Sequence, residues 1–315
     1  MPDGPCSPLV AFDDQIGYCR DSRMTVLIVG ASGFVGGELM NVFGGDAVGT
    51  CCHTPGPGLL PLDISDEARV RDLVERLRPT VIIHAAAQPN VDRCETEVDE
   101  SYRVNVVGTR NVAAAAARAG ARFVYFSSDY VFDGTAGPYP PDAVPCPVQV
   151  YGKHKLEAEC AIRDTLENHL IVRVCGVYGY HPGGKNFIMA LIAKGSRGER
   201  MNVPADQWGT PTFVENLATA VKELALSAHT GIAHPVGPDY VSRIDFARIA
   251  AEILGFPPDF LHPLSTAELG QPAKRPLRGG VDNRSTQAIL RTQLTGVREG
   301  LQQVRRRMED PARRS

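Results

Sequence analysis

The chain has 315 residues, with 36 acidic against 33 basic side chains, a net charge of −3, and 43% hydrophobic residues. That balance describes a soluble globular protein of one large domain or two, without the basic bias of a nucleic-acid or membrane binder and without the ~18-residue apolar run of a spanning helix. The eight cysteines, at 6, 19, 51, 52, 94, 146, 160 and 175, form no Cys-x-x-Cys pair and no disulfide framework, which predicts buried thiols in a reducing, cytoplasmic compartment.

Residues 1–23 lack both a basic start and an apolar core, so they are not a secretory signal and are expected to be a flexible, dispensable extension. Residues 25–29 are a short continuous apolar run, as in a parallel strand buried on both faces. The run leads directly into Gly30, Gly33 and Gly36, and then into a helical pattern reaching Phe43. Glycines at that spacing allow a tight turn, close backbone approach to a pyrophosphate, and close packing of helix on strand. Free N–H groups and the dipole at the helix amino end would hold the pyrophosphate.

Residues 47–51 read as a second strand, near whose end a dinucleotide fold places an acidic residue for the ribose 2′-hydroxyl of NAD. This chain has Thr50, Cys51, Cys52, His53 and Thr54 there, so nothing repels a 2′-phosphate. The cofactor expected is NADPH, with NADH left open because no arginine is present to hold the phosphate. His53 is either a cofactor contact or a loop histidine without a role. Cys51, Cys52 and His53 have no second ligand pair at zinc-site spacing, so no metal is expected.

Ser65 or Asp66 should cap a helix carrying Val70, Leu73, Val74 and Leu77. The strand at 81–87 ends in Ala85, Ala86 and Ala87, small residues that let backbone approach a flat ligand, and its His84 is a core histidine. A helix is expected over 98–118, with Asn105 inside it, a mediocre helix former that needs a partner. The strand at 123–126 ends in Ser127 and Ser128, and after a Pro/Gly-rich loop a helix should start at Tyr151. The sheet is expected to end with the strand at 170–174. Thr212 is the expected cap of a helix at 214–224, 241–254 reads as an amphipathic helix, and 305–315 as a solvated, frayed basic tail.

Tyr151 and Lys155 are four residues apart, on one face of the predicted helix. A tyrosine titrates near pH ~10, too high for general acid/base work at neutral pH, and a neighbouring ammonium lowers it. Ser128, at the carboxyl end of the preceding strand, would hydrogen-bond the oxygen that the tyrosine protonates.

The glycine turn with Ser128, Tyr151 and Lys155 resembles the extended short-chain dehydrogenase/reductase superfamily. Within it, residues 127–134 (Ser127, Ser128, Asp129, Tyr130, Val131, Phe132, Asp133, Gly134), 150–157 and 206–212 resemble the dTDP-4-dehydrorhamnose reductase family, from about Met24 to about Leu290. The resemblance implies cofactor contacts from Gly30, Ser32, Gly33, Phe34, Val35, Gly36, Ala85, Ala86, Ala87, Tyr151 and Lys155, and places Asp63 and Ile64 beside the adenine. It implies that Asn105 helps hold Lys155 and a water. It also implies substrate contacts from Ser128, Asp129, Tyr130, Val131, Tyr151, Asn186, Gln207 and Trp208, with Arg275 either on the diphosphate or an ordinary surface arginine. Related 4,6-dehydratases carry an Asp-Glu pair after the active-site Ser/Thr. Here the pair is Asp129 and Tyr130, which favours hydride transfer over elimination. Relatives often have a tryptophan where this chain has Gly176, a change that enlarges the pocket and leaves the sugar open.

The expected architecture is a doubly wound α/β Rossmann domain at 24–176, to which the helix near 213–226 returns, followed by a smaller sugar-nucleotide domain at 177–304. The expected activity is NADPH-dependent reduction of the C4 keto group of a dTDP-4-keto-6-deoxyhexose, with Ser128, Tyr151, Lys155 and Asn105 as catalytic residues. The partner is a small-molecule nucleotide sugar, a homodimer is left open, and no nucleic acid or membrane is implied. The rival readings are a ketoreductase or epimerase on another nucleotide-linked sugar, and a non-catalytic regulatory subunit like the methionine adenosyltransferase beta subunit, which shares the fold.

Overall fold

A computed structural model describes residues 24–182, 184 and 186–310. The expected extension at 1–23 and the end of the tail at 311–315 lie outside the described residues.

The chain runs β1 (Val26–Val29), α1 (Phe34–Phe43), β2 (Ala47–Cys51), β3 (Leu60–Pro61), α2 (Glu67–Leu77), β4 (Val81–His84), α3 (Val91–Thr96), α4 (Val98–Tyr102), a π-helical segment (Arg103–Gly108), α5 (Thr109–Ala119) and β5 (Arg122–Ser128). It continues with α6 (Val150–Thr165), β6 (His169–Val174), β7 (Val177–Tyr178), α7 (Phe187–Arg197), β8 (Met201–Pro204), β9 (Trp208–Gly209), β10 (Thr212–Phe213), α8 (Val214–Ala225) and β11 (Gly231–Ala233). The remainder is β12 (Val241–Ser242), α9 (Arg243–Leu254), β13 (Leu261–Leu264), α10 (Thr266–Leu269), α11 (Arg284–Ile289) and α12 (Val297–Glu309).

Seven parallel strands form the central sheet in the order β3-β2-β1-β4-β5-β6-β11. The first six follow the doubly wound Rossmann order, which reverses direction between β1 and β4 and so opens a crevice at their carboxyl ends. The sheet does not stop at β6 as expected: β11 adds an edge strand through Gly231 opposite Leu170 and Ala233 opposite Val172.

Alternation explains why the strands read as unbroken apolar runs. Val26 and Ile28 face a cluster that includes Leu39 of α1 and Leu217 and Val221 of α8, while Leu27 and Val29 face Val70 and Leu73 of α2 and Val112 of α5. Both faces of the sheet are therefore covered by helices. Truncating a side chain such as Leu27 to Ala should cost about 2–5 kcal/mol. A separate apolar cluster joins α7, β8, α9 and α12 through Leu191, Val203, Phe246 and Leu301, and lies beyond the carboxyl-terminal ends of β5 and β6.

Four local expectations are corrected. The helix expected over 98–118 is interrupted by the π-helical segment that contains Asn105, the kind of insertion that rotates one side chain out of register. Thr212 does not cap α8; it sits in β10 and its hydroxyl donates to the Cys175 carbonyl at 2.9 Å. The helix expected from Val241 begins at Arg243 with Ser242 as its cap, because Val241 and Ser242 pair with Gly209 and Trp208 instead. The basic tail is helical as far as Glu309, and Arg307 bridges Glu38 at 3.1 Å and Glu215 at 2.6 Å, pinning α12 to α1 and α8. Among the described residues no helix is long and apolar enough to cross a membrane.

Candidate active site

The turn after β1 is built by sterics. Gly30 has φ 88°, and a Cβ there would lie 2.7 Å from the Ala86 backbone, so the β1 and β4 turns touch. A Cβ on Gly36 would lie 2.1 Å from the Gly30 carbonyl oxygen, which is why α1 can pack so tightly under the turn. Gly33 precedes α1 without a side-chain cap, leaving the first N–H groups of the helix for a ligand. Ser32 and Gly33 are exposed there, and Phe34, Val35 and Ala85–Ala87 are half-buried around the same crevice.

The other expected cofactor contacts surround this crevice. Cys52 and His53 are exposed at the end of β2, with Cys52 Sγ 3.5 Å from His53 Nε2. Among the described residues no group of three His, Cys, Asp or Glu side chains is placed to hold a metal ion. Asp63 Oδ1 accepts from the Ser65 amide and hydroxyl at 2.9 and 2.7 Å, and Asp63 Oδ2 lies 3.5 Å from Arg103. Ile64 is buried against Gly108.

The catalytic candidates are placed by β5 and α6. A Cβ on Gly152 would lie 2.0 Å from the Tyr130 carbonyl oxygen, so α6 presses directly on the turn that follows Ser128. Gln149 caps α6, accepting from the Gly152 amide at 2.6 Å. Beneath them, Glu159 of α6 makes a fully buried ion pair with Arg173 of β6 at 2.7 Å and accepts from the Ser127 hydroxyl. Helix and strands are thereby locked together under the site.

Lys155 lies 3% exposed one turn along α6 from Tyr151, with Nζ 4.7 Å above the Tyr125 ring and 5.8 Å from the Tyr151 ring centre. Nζ donates to the Phe126 carbonyl at 2.9 Å. Burial lowers the lysine pKa to about 8. The same burial, helped by the Lys155 charge, brings His84 down to about 3. His84 is thus a neutral core residue whose Nε2 lies 3.1 Å from the Thr109 hydroxyl. The expectation that Lys155 lowers Tyr151 is not met in this geometry: burial pushes the Tyr151 hydroxyl up, because the ammonium is directed at Phe126 rather than at the phenol.

Asn105 makes no direct hydrogen bond to Lys155. Its side chain accepts from the Gln88 amide at 2.9 Å and donates to the Gln88 carbonyl and Ser101 hydroxyl, each at 3.2 Å. It clamps the loop after β4 and is not spent on Lys155.

Ser128 and Tyr151 open onto one cavity of about 340 Å³ between the central sheet and the second apolar cluster, together with Asp129, Tyr130, Gln207 and Trp208. Ser128 Oγ donates to Asp129 Oδ1 at 3.1 Å, and the Gly280 amide donates to Asp129 Oδ2 at 3.0 Å. Burial pushes the Asp129 carboxyl up. Tyr130 meets Tyr151 edge to face, with ring centres 6.1 Å apart.

Three expected substrate contacts are directed elsewhere. Val131 is fully buried in a core cluster with Phe132 and Tyr139. Asn186 caps α7, accepting from the Met189 amide and donating to the Gly179 carbonyl, both at 3.1 Å. Arg275 pairs with Asp92 at 2.6 Å, with only 9% of its side chain exposed.

Sequence reasoning missed Cys175 and Arg243, which also line the cavity, as does Thr210 of the 206–212 motif. Cys175 follows β6, and the carboxyl ends of parallel strands are where ligands gather. Arg243 begins α9. A cation at a helix amino end opposes the dipole, and that conflict was a readable signal. Gly176 has φ 51°, and a Cβ there would meet only Pro211 Cα, at 3.6 Å, so it leaves the cavity wall open.

Residues 24–309 match the RmlD substrate binding domain family. A dTDP-4-keto-6-deoxy-D-glucose reductase of Streptomyces niveus is 33% identical over 255 residues, 79% of this chain and 85% of that protein. The methionine adenosyltransferase 2 subunit beta of Xenopus laevis is 30% identical over 288 residues, 88% of this chain and 86% of its own. The crystal structure of dTDP-4-dehydrorhamnose reductase from Bacillus anthracis in complex with NADP superposes with a TM-score of 0.79 at 30% identity, covering 90% of this chain and 98% of that one. With the glycine turn, Ser128, Tyr151 and Lys155 assembled on a doubly wound sheet, this chain belongs to the RmlD substrate binding domain family.

Proposed function

We propose that this protein is a cytoplasmic reductase that uses NADPH to reduce the C4 keto group of a dTDP-linked 4-keto-6-deoxyhexose. The observation that carries the reading is that Ser128 and Tyr151 face one cavity, with Lys155 a turn behind Tyr151, beside a glycine turn whose helix end is uncapped. The activity of the Streptomyces relative and the NADP complex of the Bacillus relative support the substrate and the cofactor. On this reading the chain divides into a cofactor-binding part around the seven-stranded sheet, including α8, and a smaller sugar-nucleotide part around the α7, α9 and α12 cluster.

The turn at Gly30, Gly33 and Gly36 fits a pyrophosphate, since Gly33 is exposed without a side chain and α1 starts with no side-chain cap on its first amides. Cys52 and His53 at the exposed end of β2 are not carboxylates, and the nearby Asp63 is paired with Arg103 at 3.5 Å, so its charge is offset towards a 2′-phosphate. Bound NADPH supplies the hydride that forms the new C4–H bond. Ser128 turns its hydroxyl from Asp129 to the carbonyl oxygen and polarises it. Tyr151 gives its proton to that oxygen as negative charge develops, the point at which such hydrogen bonds lower the barrier. Lys155 lies behind Tyr151 with a pKa of about 8, suited to returning a proton towards Tyr151 after the transfer. Tyr130 occupies the position where an eliminating enzyme carries a second carboxylate, so the cavity is set for reduction without loss of water.

The experiment is product analysis with NADPH deuterated at the transferred position and freshly made dTDP-4-keto-6-deoxyhexose. The reading predicts one deuterium at C4 of the product. Oxidation of cofactor with no label in the sugar would overturn it.

A further inference from the structure

The substrate cavity has one cationic side chain among its described lining residues, Arg243. Its guanidinium lies 4.9 Å over the ring of Phe187, and its own amide donates to the Gln207 carbonyl at 2.8 Å, so both ends of the residue are fixed. Two other arginines of this region are neutralised by carboxylates, Arg248 by Asp245 at 3.1 Å and Arg275 by Asp92 at 2.6 Å, while Arg278, which bridges Trp208, is exposed to solvent. Arg243 makes no ion pair with any described carboxylate. Asp129, the one carboxylate among the described lining residues, is hydrogen-bonded to Ser128 and Gly280 and attracts Arg243 only from beyond ion-pair distance.

A half-buried, stacked cation at the amino end of α9 adds its charge to the positive end of that helix's dipole. The attraction of Asp129 offsets that charge only from a distance, which leaves the guanidinium without a counter-ion in contact. The neighbouring surface suits the rest of a nucleotide. Ser242 pairs with Trp208 across the β9–β12 ladder, which sets an indole 40% exposed next to Arg243, with Tyr240 5.6 Å behind it. A flat aromatic surface beside a fixed guanidinium matches a base followed by a phosphate chain.

We propose that Arg243 is the anchor for the substrate's diphosphate, and that Arg275 instead closes the cavity rim through Asp92. The proposal rests on the substrate being a nucleoside-diphosphate sugar. Arg243 grips the part of that substrate which does not react, so it fixes substrate class and affinity rather than the chemical step.

The test is calorimetric titration of dTDP, and separately of thymidine, into NADP-saturated wild type, Arg243→Gln and Arg243→Lys. Loss of a charge-assisted contact predicts dTDP binding about 10- to 100-fold weaker in Arg243→Gln, partial recovery in Arg243→Lys, and unchanged thymidine and NADPH binding. Equal dTDP affinity in Arg243→Gln, an equal loss for thymidine, or no dTDP binding by the wild type would each overturn the proposal. Arg243-dependent dTDP binding in a protein that reduces no keto sugar would leave the anchor standing and overturn only the reductase reading.

Discussion

Lys155 Nζ donates to the carbonyl of Phe126 at 2.9 Å, two residues before Ser128 on the same strand. One hydrogen bond thus ties the helix that carries Tyr151 to the strand that carries the serine. The lysine does this while held almost free of solvent, and that burial sets its titration.

The folded-state pKa of Lys155 is lowered from 10.5 to about 8. Only the ammonium form can return a proton towards Tyr151, so activity is full below that pH and is lost as pH rises through it. The expected kcat/KM profile falls on its alkaline side with an apparent pKa near 8, and Lys155→Arg moves the fall upwards. Stability has the opposite slope. Between about 8 and 10.5 the unfolded chain binds more protons than the folded one, so this residue's contribution to stability rises with pH there. Denaturant unfolding of the wild type and Lys155→Met across that window checks the sign, because the variant lacks the rise.

Gly152 separates Tyr151 from Lys153 because a Cβ would come within 2.0 Å of the Tyr130 carbonyl. Gly152→Ala should push α6 away from the turn after Ser128, costing about 1–3 kcal/mol of stability and a larger share of kcat than of NADPH affinity. Urea unfolding and steady-state kinetics measure the two effects separately.

The Glu159–Arg173 pair is fully buried. Removing one charge leaves the other uncompensated, so Arg173→Met or Glu159→Gln should each cost about 3–5 kcal/mol. The double variant should lose less than the sum of the singles. Additive losses in a double-mutant cycle would contradict the pairing as the source of the stability.

Asp92 holds Arg275 at 2.6 Å and also accepts from the Ala273 amide at 3.1 Å, next in sequence to the cavity-lining Val91 and Pro276. Asp92→Ala should free that segment, raising KM for the sugar nucleotide several-fold while leaving NADPH binding unchanged. Stopped-flow binding would show the change as faster substrate release.

The sheet, the glycine turn and the Tyr151–Lys155 face were legible because each depends on local periodicity or fixed spacing: Val26, Leu27, Ile28 and Val29 are buried in one unbroken run, and a helix must stack residues four apart. What was hidden depends on partners distant in sequence. Asn186 looked like a substrate contact until the start of α7 used its side chain as a cap. Arg275 looked free until Asp92, far up the chain, neutralised it. Asn105 reaches Gln88 only because a π-helical segment turns it there, and nothing in the apolar pattern of 98–118 announces the insertion. Arg243 was missed although its signal was local, a cation where the α9 dipole disfavours one.

The most direct test of the central claim is NADPH oxidation by wild type and Tyr151→Phe with dTDP-4-keto-6-deoxy-L-lyxo-hexulose, alongside NADPH binding by both proteins. The account predicts turnover by the wild type, a loss of about two to four orders of magnitude in the variant, and NADPH binding that is nearly equal. Full activity in Tyr151→Phe would contradict the assignment of the proton donor, and absence of turnover by a wild type that binds NADPH tightly would contradict this sugar as the substrate.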